Sequence, residues 1–275
     1  DQNQLTMETM KRVATRHGLV CLLNEKPFAG VNGSGKHNNW SMGTDTGENL
    51  LDPGDTPNEN LQFLLVLACI MKAVDDHADL LRCSTACVGN DHRLGAQEAP
   101  PAIISIFLGD QLDDVVNQIV SNAESIKLLA SGSLDSGVST IPVIQKDATD
   151  RNRTSPFAFT GNKFEFRMVG SSDSIADANV TLNAIVAEAM CEAADILEKA
   201  DDFTAACSKL IHDWMTQHQR IVFNGNGYSE EWVEEAARRG LPNLPSMVSA
   251  VPALTTEKAE ALYTRFGIYT KAELE

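Results

Sequence analysis

Apolar residues recur three or four positions apart over several long segments of the chain, which is the spacing of one face of a helix. The first segment covers residues 4–17, and Gly18 supplies its stop. Residues 63–86 are apolar enough for one or two mostly buried helices. The same spacing predicts further helices over residues 110–129, 179–200, 203–219, 229–240 and 255–266.

Shorter apolar runs predict strands between these helices. Residues 19–23 are predicted to form a short buried strand, and residues 38–42 a second one. Residues 102–108 are expected to be an apolar strand or the start of a helix. Residues 43–58 are rich in Gly, Asp, Thr and Pro, which is typical of a loop. Pro57 near its end is predicted to be the first residue of the next helix.

The composition narrows the class of protein. The chain has 275 residues and 43% hydrophobic content, enough for a sizeable core and one or two domains. Its formal net charge of −16 argues against nucleic acid and anionic membranes as partners, because no basic patch could neutralise phosphates. The longest apolar run, residues 63–71, is too short to span a bilayer.

Residues 1–4 contain neither an initiator Met nor a signal peptide, so we expect the chain to be a fragment of a longer protein. Cys83 and Cys87 lie near two histidines, but their spacing matches no strong zinc pattern. We therefore expect the six cysteines to be reduced, structural, cytosolic thiols. His212 and His218 are interpreted as residues of helix surfaces.

Residues 26–41, KPFAGVNGSGKHNNWS, form the first candidate site. Three glycines within six positions let the backbone turn sharply and come close to a ligand. His37 follows directly after the last turn residues. One interpretation is a metal ligand beside a glycine-rich approach to an anionic substrate. The other is a surface turn with an ordinary histidine.

The segment from Gly30 to His37 also comes close to the phosphate-binding P-loop, G-x-x-x-x-G-K-[ST]. The match fails at His37, which stands in place of the hydroxyl that holds Mg²⁺. A P-loop opens into a helix, whereas the residues after His37 are poor helix formers. A P-loop nucleotide hydrolase is therefore the most distant of the alternatives.

Arg93 and Glu98 form the second candidate site, on either side of a turn that contains Gly95. Pro100 and Pro101 follow and favour an extended or loop backbone before them. A surface ion pair is the simplest interpretation of these two charges, and such a pair contributes little to stability.

The third candidate site ends residues 151–167, RNRTSPFAFTGNKFEFR, which follow a predicted polar loop over residues 130–150. Its last residues alternate strictly, so that Lys163, Glu165 and Arg167 share one face of a strand. A carboxylate among cations, with two more arginines at the start of the segment, suits polyphosphate with Mg²⁺. The alternative is a solvated strand face.

These three stretches resemble the glutamine synthetase family and occur in that family's order. Residues 26–41 meet every position of its ATP-region signature, and their KHNNWS ending resembles the type III branch. Arg93-Leu94, then Glu98-Ala99-Pro100, is similar to the family's glutamate-binding arginine and mobile flap. Residues 163–167 resemble its [R/K]-x-E-x-R strand, and the helical end of the chain is similar to the type III C-terminal region.

The resemblance implies an α+β fold, with an antiparallel sheet and flanking helices in a catalytic domain and a helical C-terminal region behind it. Residues 1–170 would be part of the catalytic domain, and residues 171–275 its mainly helical C-terminal part. It also implies a ligase that uses ATP to join ammonia to L-glutamate through γ-glutamyl phosphate, giving L-glutamine.

The same resemblance implies a role for each matched residue. His37 and Glu165 would ligate Mg²⁺ or Mn²⁺. Arg93 and Arg167 would hold the carboxylates of glutamate, since a guanidinium fork matches a carboxylate. Glu98 would close over the site and help take a proton from ammonium, and Arg93 is assigned with it to the catalytic residues. The remaining assignments are Asn32 and Gly33 at glutamate, and Asn39, Ser41, Arg151, Arg153 and Lys163 at ATP.

Family active sites also use further glutamates, an E-x-E strand and an N-terminal β-grasp domain, and they form between neighbouring subunits. We recognise none of these parts in the chain, so we expect it to be inactive alone. The full-length protein is expected to form homo-oligomeric rings in the cytoplasm. The alternative function is a catalytically dead module with the same fold that binds nucleotide or glutamine, or serves as a scaffold.

Overall fold

The structure, a computed structural model, describes residues 2–95, 99–121 and 154–274. Within these ranges, helices flank one small sheet, so the predicted α+β class is confirmed. The strands are β1 (Asn38–Trp40), β2 (Ile106–Phe107), β3 (Phe157–Phe159) and β4 (Phe164–Phe166). The helices of the described residues are α1 (Gln2–Arg16), α2 (Leu61–Asp76), α3 (Ala78–Cys83), α4 (Val88–Arg93), α5 (Asp110–Ser121), α6 (Ala176–Leu197), α7 (Phe203–His218), α8 (Glu230–Arg238), α9 (Met247–Ala250), α10 (Glu257–Arg265) and α11 (Lys271–Leu274).

The four strands stand in the order β1-β4-β3-β2, which places β1 beside β4 although the two strands are far apart in the chain. β4 pairs antiparallel with both β1 and β3, whereas β2 runs parallel to β3. The aromatic residues of β3 and β4 share one face, where Phe157 stacks on Phe164 with ring centroids 4.5 Å apart. Phe159 meets Phe63 of α2 across the core, at 6.0 Å.

Helices α2 and α6 lie against this face, and α7 packs on α2. Two asparagines one turn apart on α6 fix it to β1: Asn179 accepts a hydrogen bond from the Asn38 amide at 2.7 Å, and Asn183 accepts one from the Trp40 indole at 2.9 Å. Because alternate residues of a strand point to opposite faces, the side chains between them point away from the helices.

The N-terminal helix forms where the spacing predicts it, and Gly18 ends it with a positive φ of 69°. The predicted buried strand over residues 19–23 is wrong. Leu19 is 65% exposed and Val20 84% exposed, and α1 itself buries no residue. An apolar run becomes a buried strand only when a neighbouring strand pairs with it, and none of the described strands lies beside this one.

The start of α2 also differs from the prediction. Its cap is Asn60, whose side chain accepts a hydrogen bond from the Phe63 backbone N–H at 3.0 Å. Pro57 lies in the preceding turn and not at the first helical position. Asparagine competes well for this position because its side chain satisfies an otherwise unpaired N–H of the first turn.

The C-terminal helices confirm the periodicity, but His218 does not lie on a helix surface as predicted. It is buried at the end of α7, with Nδ1 2.8 Å from Asp75 Oδ2, and His212 is half-buried. Arg220 donates to the same carboxylate at 2.9 Å. Burial here follows from the packing of α7 on α2, which a single helix's own pattern does not contain.

Some predictions fall on residues outside the described ranges: Glu98, Arg151 and Arg153, the end of the predicted helix 110–129, and the loop 130–150. All six cysteines are free thiols, as expected, and Cys69, Cys83 and Cys207 are buried. No helix within the described ranges has both the length and the apolar character needed to cross a membrane.

The aromatic core predicts a large cost for truncating Phe164. This residue is fully buried between Phe157 and Phe159, so Phe164→Ala should lower the free energy of unfolding by about 3–5 kcal/mol. Phe203→Ala is the matched control, since Phe203 is 57% exposed, and it should stay within about 0.5 kcal/mol. Urea unfolding measures both, and equal costs would contradict this view of the core.

Candidate active site

The glycine-rich segment lies beside the residues that follow β4. Gly35 forms a bridge with Gly170, the Lys36 N–H donates to the Val169 carbonyl at 2.9 Å, and the Ser171 N–H donates to Ser34. Compared with the Asn38–Phe166 pair, the β4 side carries one extra residue. This extra residue is a β-bulge, a feature that re-aims side chains next to functional sites.

Lys36 is the lysine that a P-loop would direct at a phosphate, and here it does something else. Its ammonium donates to the backbone carbonyls of Gly170, Ser171 and Asp173. The residues after it form strand β1 and not a helix. The P-loop interpretation is therefore wrong, because Lys36 binds backbone carbonyls and no helix N-terminus follows it.

Gly33 and Gly35 make room for Arg93. A Cβ at Gly33 would lie 2.7 Å from Arg93 Cγ, and one at Gly35 would overlap the guanidinium. The close approach that glycine permits is thus made to a side chain of the same protein.

Arg93 is buried at the end of α4, so a surface ion pair is excluded for it. Nη2 donates to the Arg167 carbonyl at 2.9 Å, and Nη1 to Asn90 Oδ1 at 3.0 Å and to the carbonyls of Met168 and Val169 at 3.3 Å. Burial lowers the pKa of Arg93, and the nearby Glu25 carboxylate partly offsets this effect. Arg93 thereby holds the backbone that follows β4, and its contact with substrate stays a prediction.

His37 and Glu165 come together as the sequence predicts, although they are far apart in the chain. His37 Nδ1 lies 3.3 Å from Glu165 Oε2. Arg167 donates to the same oxygen from Nε at 3.2 Å and from Nη2 at 3.1 Å. Glu165 and Arg167 are buried, which excludes a solvated strand face, whereas the His37 side chain is 60% exposed. Arg167 therefore holds the Glu165 carboxylate in place, and the exposed His37 imidazole lies beside it.

The predicted nucleotide contacts lie next to this group. Asn39 pairs in register with Glu165, so the two side chains share a face of the sheet. Ser41 follows β1, and its hydroxyl donates to Asn49 at 3.1 Å. Lys163 precedes β4, and its ammonium is 3.5 Å from the Asn162 side-chain oxygen. Asn32 is exposed on the glycine-rich segment. Their roles stay predictions.

The donor atoms of His37 and Glu165 fit one divalent ion. Two ligands at right angles on an ion with bonds of about 2.1 Å are about 3 Å apart, close to the observed 3.3 Å. Within the described ranges, the group of three or more potential ligands is elsewhere, at Asp75, Asp76 and His218. The described residues therefore offer two potential ligands at this place.

Sequence reasoning missed Glu25, which lies directly behind the glycine-rich segment. Its carboxylate is buried and accepts hydrogen bonds from the Ser172 N–H, at 2.9 Å, and from the Ser172 hydroxyl. Burial alone raises the pKa of Glu25, but these hydrogen bonds and the charge of Arg93 outweigh it, so the net pKa lies below its ordinary value. The local sequence, a glutamate before Lys-Pro, does not by itself predict the burial of Glu25 or its hydrogen bonds to Ser172.

This arrangement brings an imidazole, a carboxylate and a guanidinium together at the open face of a small sheet. Residues 1–104 match the family model described as "Glutamine synthetase, catalytic domain", and residues 206–275 match "Glutamine synthetase C-terminal domain". The chain belongs to the glutamine synthetase family.

Relatives extend the likeness over the whole chain. It is 54% identical over 278 residues to the "Type-3 glutamine synthetase" of Dictyostelium discoideum. It is 48% and 45% identical to proteins named "Glutamine synthetase" from Butyrivibrio fibrisolvens and Bacteroides fragilis. In each match all of this chain is covered, but only 38%, 39% and 38% of the respective relative. The chain thus spans less than two fifths of the length of these relatives.

The close approach at Gly35 can be tested by adding one methyl group. In Gly35→Ala, the new Cβ overlaps the Arg93 guanidinium, so Arg93 must leave its carbonyl partners. We expect the free energy of unfolding to fall by about 1–3 kcal/mol in urea titrations. Ser34→Ala, at an exposed neighbour, is the control. A Gly35→Ala protein as stable as the wild type would show that the space is not needed.

Proposed function

We propose that this protein works as a glutamine synthetase, an ATP-dependent glutamate–ammonia ligase. The observation that carries the proposal is the His37–Glu165–Arg167 group, in which a buried carboxylate is held between an imidazole and a guanidinium. This group lies in a chain with family-model matches to glutamine synthetase domains. Experimentally, the test is the ATP- and ammonia-dependent formation of glutamine by the natural gene product that contains this chain.

The reaction determines what the site must supply. A γ-carboxylate oxygen of glutamate bonds to the γ-phosphorus of ATP and ADP leaves, giving γ-glutamyl phosphate. Ammonia then bonds to the carbonyl carbon, phosphate leaves, and a proton is lost from the nitrogen. Both substrates of the first step are anionic, so fixed cations are needed in a protein with a net charge of −16.

In this proposal His37 and Glu165 hold a divalent ion, Mg²⁺ or Mn²⁺, which when bound neutralises phosphate charge. Arg167 and Arg93 hold the carboxylates of the substrate glutamate from their buried positions. Asn32 and Gly33 bind glutamate along the exposed segment, and Glu98 helps remove the proton from ammonium. ATP lies along Asn39, Ser41, Arg151, Arg153 and Lys163.

The proposal extends to assembly and location. The active protein forms homo-oligomeric rings with sites completed between subunits, and it acts in the cytoplasm. Free, non-disulfide cysteines support the reducing compartment. An assay that finds ATP binding without turnover in the whole gene product would favour the alternative, a nucleotide-sensing module with this fold.

Arg167 provides the kinetic prediction. In the whole gene product, Arg167→Ala should raise the KM for glutamate far more than the KM for ATP, since a lost, desolvated contact to a carboxylate costs on the order of 2–4 kcal/mol. Steady-state kinetics with each substrate varied decides this. Arg12→Ala, which changes an exposed arginine of α1, is the control. Equal increases for both substrates would assign Arg167 a structural role.

The chain of 275 residues alone should make no glutamine. His37 and Glu165 supply two described ligands, and Mg²⁺ releases its water reluctantly, so binding through two side chains should be weak. The measurement is γ-glutamyl hydroxamate formation by the purified chain beside the whole gene product. Turnover by the chain alone would show that its site is complete.

A further inference from the structure

Two buried or half-buried charges from opposite ends of the glycine-rich segment converge on one turn of the backbone. Glu25 lies before the segment and Lys36 near its end, and both bind the turn at residues 170–173. This turn lies shortly after β4, which contains Glu165, and Arg167 is the first residue after that strand. We call Glu25, Lys36 and the turn the 170–173 clasp.

Within the clasp, Glu25 binds the turn from one side. Its carboxylate accepts two hydrogen bonds from Ser172, while its own backbone carbonyl accepts one from the Ser34 N–H at 2.6 Å. Gly89 and Gly170 leave the space that the carboxylate needs, since a Cβ at either position would collide with it or come within 3.0 Å. Through its side chain and its backbone carbonyl, this one residue contacts the turn, α4 and the glycine-rich segment.

Lys36 binds the turn from the other side, as a cationic donor where Glu25 is an anionic acceptor. Its ammonium donates to three carbonyls of the turn, and its backbone N–H donates to the Val169 carbonyl. Carbonyls that accept from a cation are fixed more firmly than those that accept from a neutral donor. His37 is the next residue, so the place of its imidazole depends on where Lys36 is held.

The bulge beside His37 makes this support necessary. With one extra residue on the β4 side, the regular ladder ends at the Asn38–Phe166 pair, short of His37. The position of His37 relative to Glu165 is therefore set from two sides. The pairing of β1 with β4 fixes the residues that follow His37, and the 170–173 clasp fixes the residue that precedes it.

We propose that Glu25 and Lys36 are positioning residues that set the separation of His37 and Glu165 for binding of a divalent cation. Neither side chain touches the ion, and both act through the turn that they share. The inference rests on the proposed function only for its biological meaning. Its physical content, that removing either charge weakens cation binding at His37 and Glu165, can be measured without turnover.

The test uses Mn²⁺ as the probe, in the whole gene product, with free Mn²⁺ followed by electron paramagnetic resonance. Glu25→Gln and Lys36→Met should each weaken binding at the affected site about tenfold, the effect expected of residues that orient metal ligands. Glu59→Gln and Lys199→Met remove matching charges at exposed positions and should leave binding within a factor of two. Unchanged binding in both clasp variants would overturn the proposal.

The His37→Ala background separates positioning from general damage. Once the imidazole is absent, Glu25→Gln should cause no further loss of Mn²⁺ binding, whereas an unrelated structural defect would lower it again. If Glu25→Gln does not fold, Ser172→Ala replaces it, since this variant removes one donor and keeps the buried charge. Ser172→Ala should give a smaller loss of the same kind, and no loss would refute the clasp.

Glutamine formation is recorded for every variant in parallel. A wild-type protein that binds Mn²⁺ but makes no glutamine would contradict the proposed function and leave the clasp to be judged on binding alone. A wild-type protein that makes glutamine, with clasp variants that bind Mn²⁺ normally, would contradict the clasp and leave the proposed function standing.

Discussion

The antiparallel pairing of β1 with β4 is the contact on which the candidate site depends. It brings Asn39 opposite Glu165 and sets His37 beside the same carboxylate, from segments far apart in the chain. Neither strand is long enough to be stable alone, and each is held by what lies behind it. The stacked phenylalanines and the asparagines of α6 provide that support on the helix side, which leaves the other face open for charged residues.

In this acidic protein, the charged side chains near the candidate site matter through their burial and their partners, and not through the net charge. Arg93 and Lys36 direct their cations mainly at backbone carbonyls, and these bonds fix the residues that follow β4. Glu165 is paired with Arg167, the first residue after β4. A buried charge without such partners would cost several kcal/mol, so the arrangement of partners decides which charges can stay near a site.

A second buried network lies away from the site, where Asp75 meets His218 and Arg220 between α2 and the end of α7. It joins the helical C-terminal part of the chain to the helix behind the sheet. Apolar packing of α2 on α6 and α7 runs through the same region. The helices and the sheet therefore share one core, and the site face is supported by residues from both parts of the chain.

The sequence by itself determined the elements whose pattern is local. Helical periodicity predicted α2, α6, α7 and α10, and strict alternation put Glu165 and Arg167 opposite the phenylalanines, because side-chain direction along a helix or strand depends only on its own backbone. Tertiary structure alone decided burial and partners. Leu19 and Val20 stay exposed for lack of a paired strand, His218 is buried by a second helix, and Glu25 is buried by a turn far along the chain. Those outcomes depend on which distant segment packs there, and no local pattern contains that information.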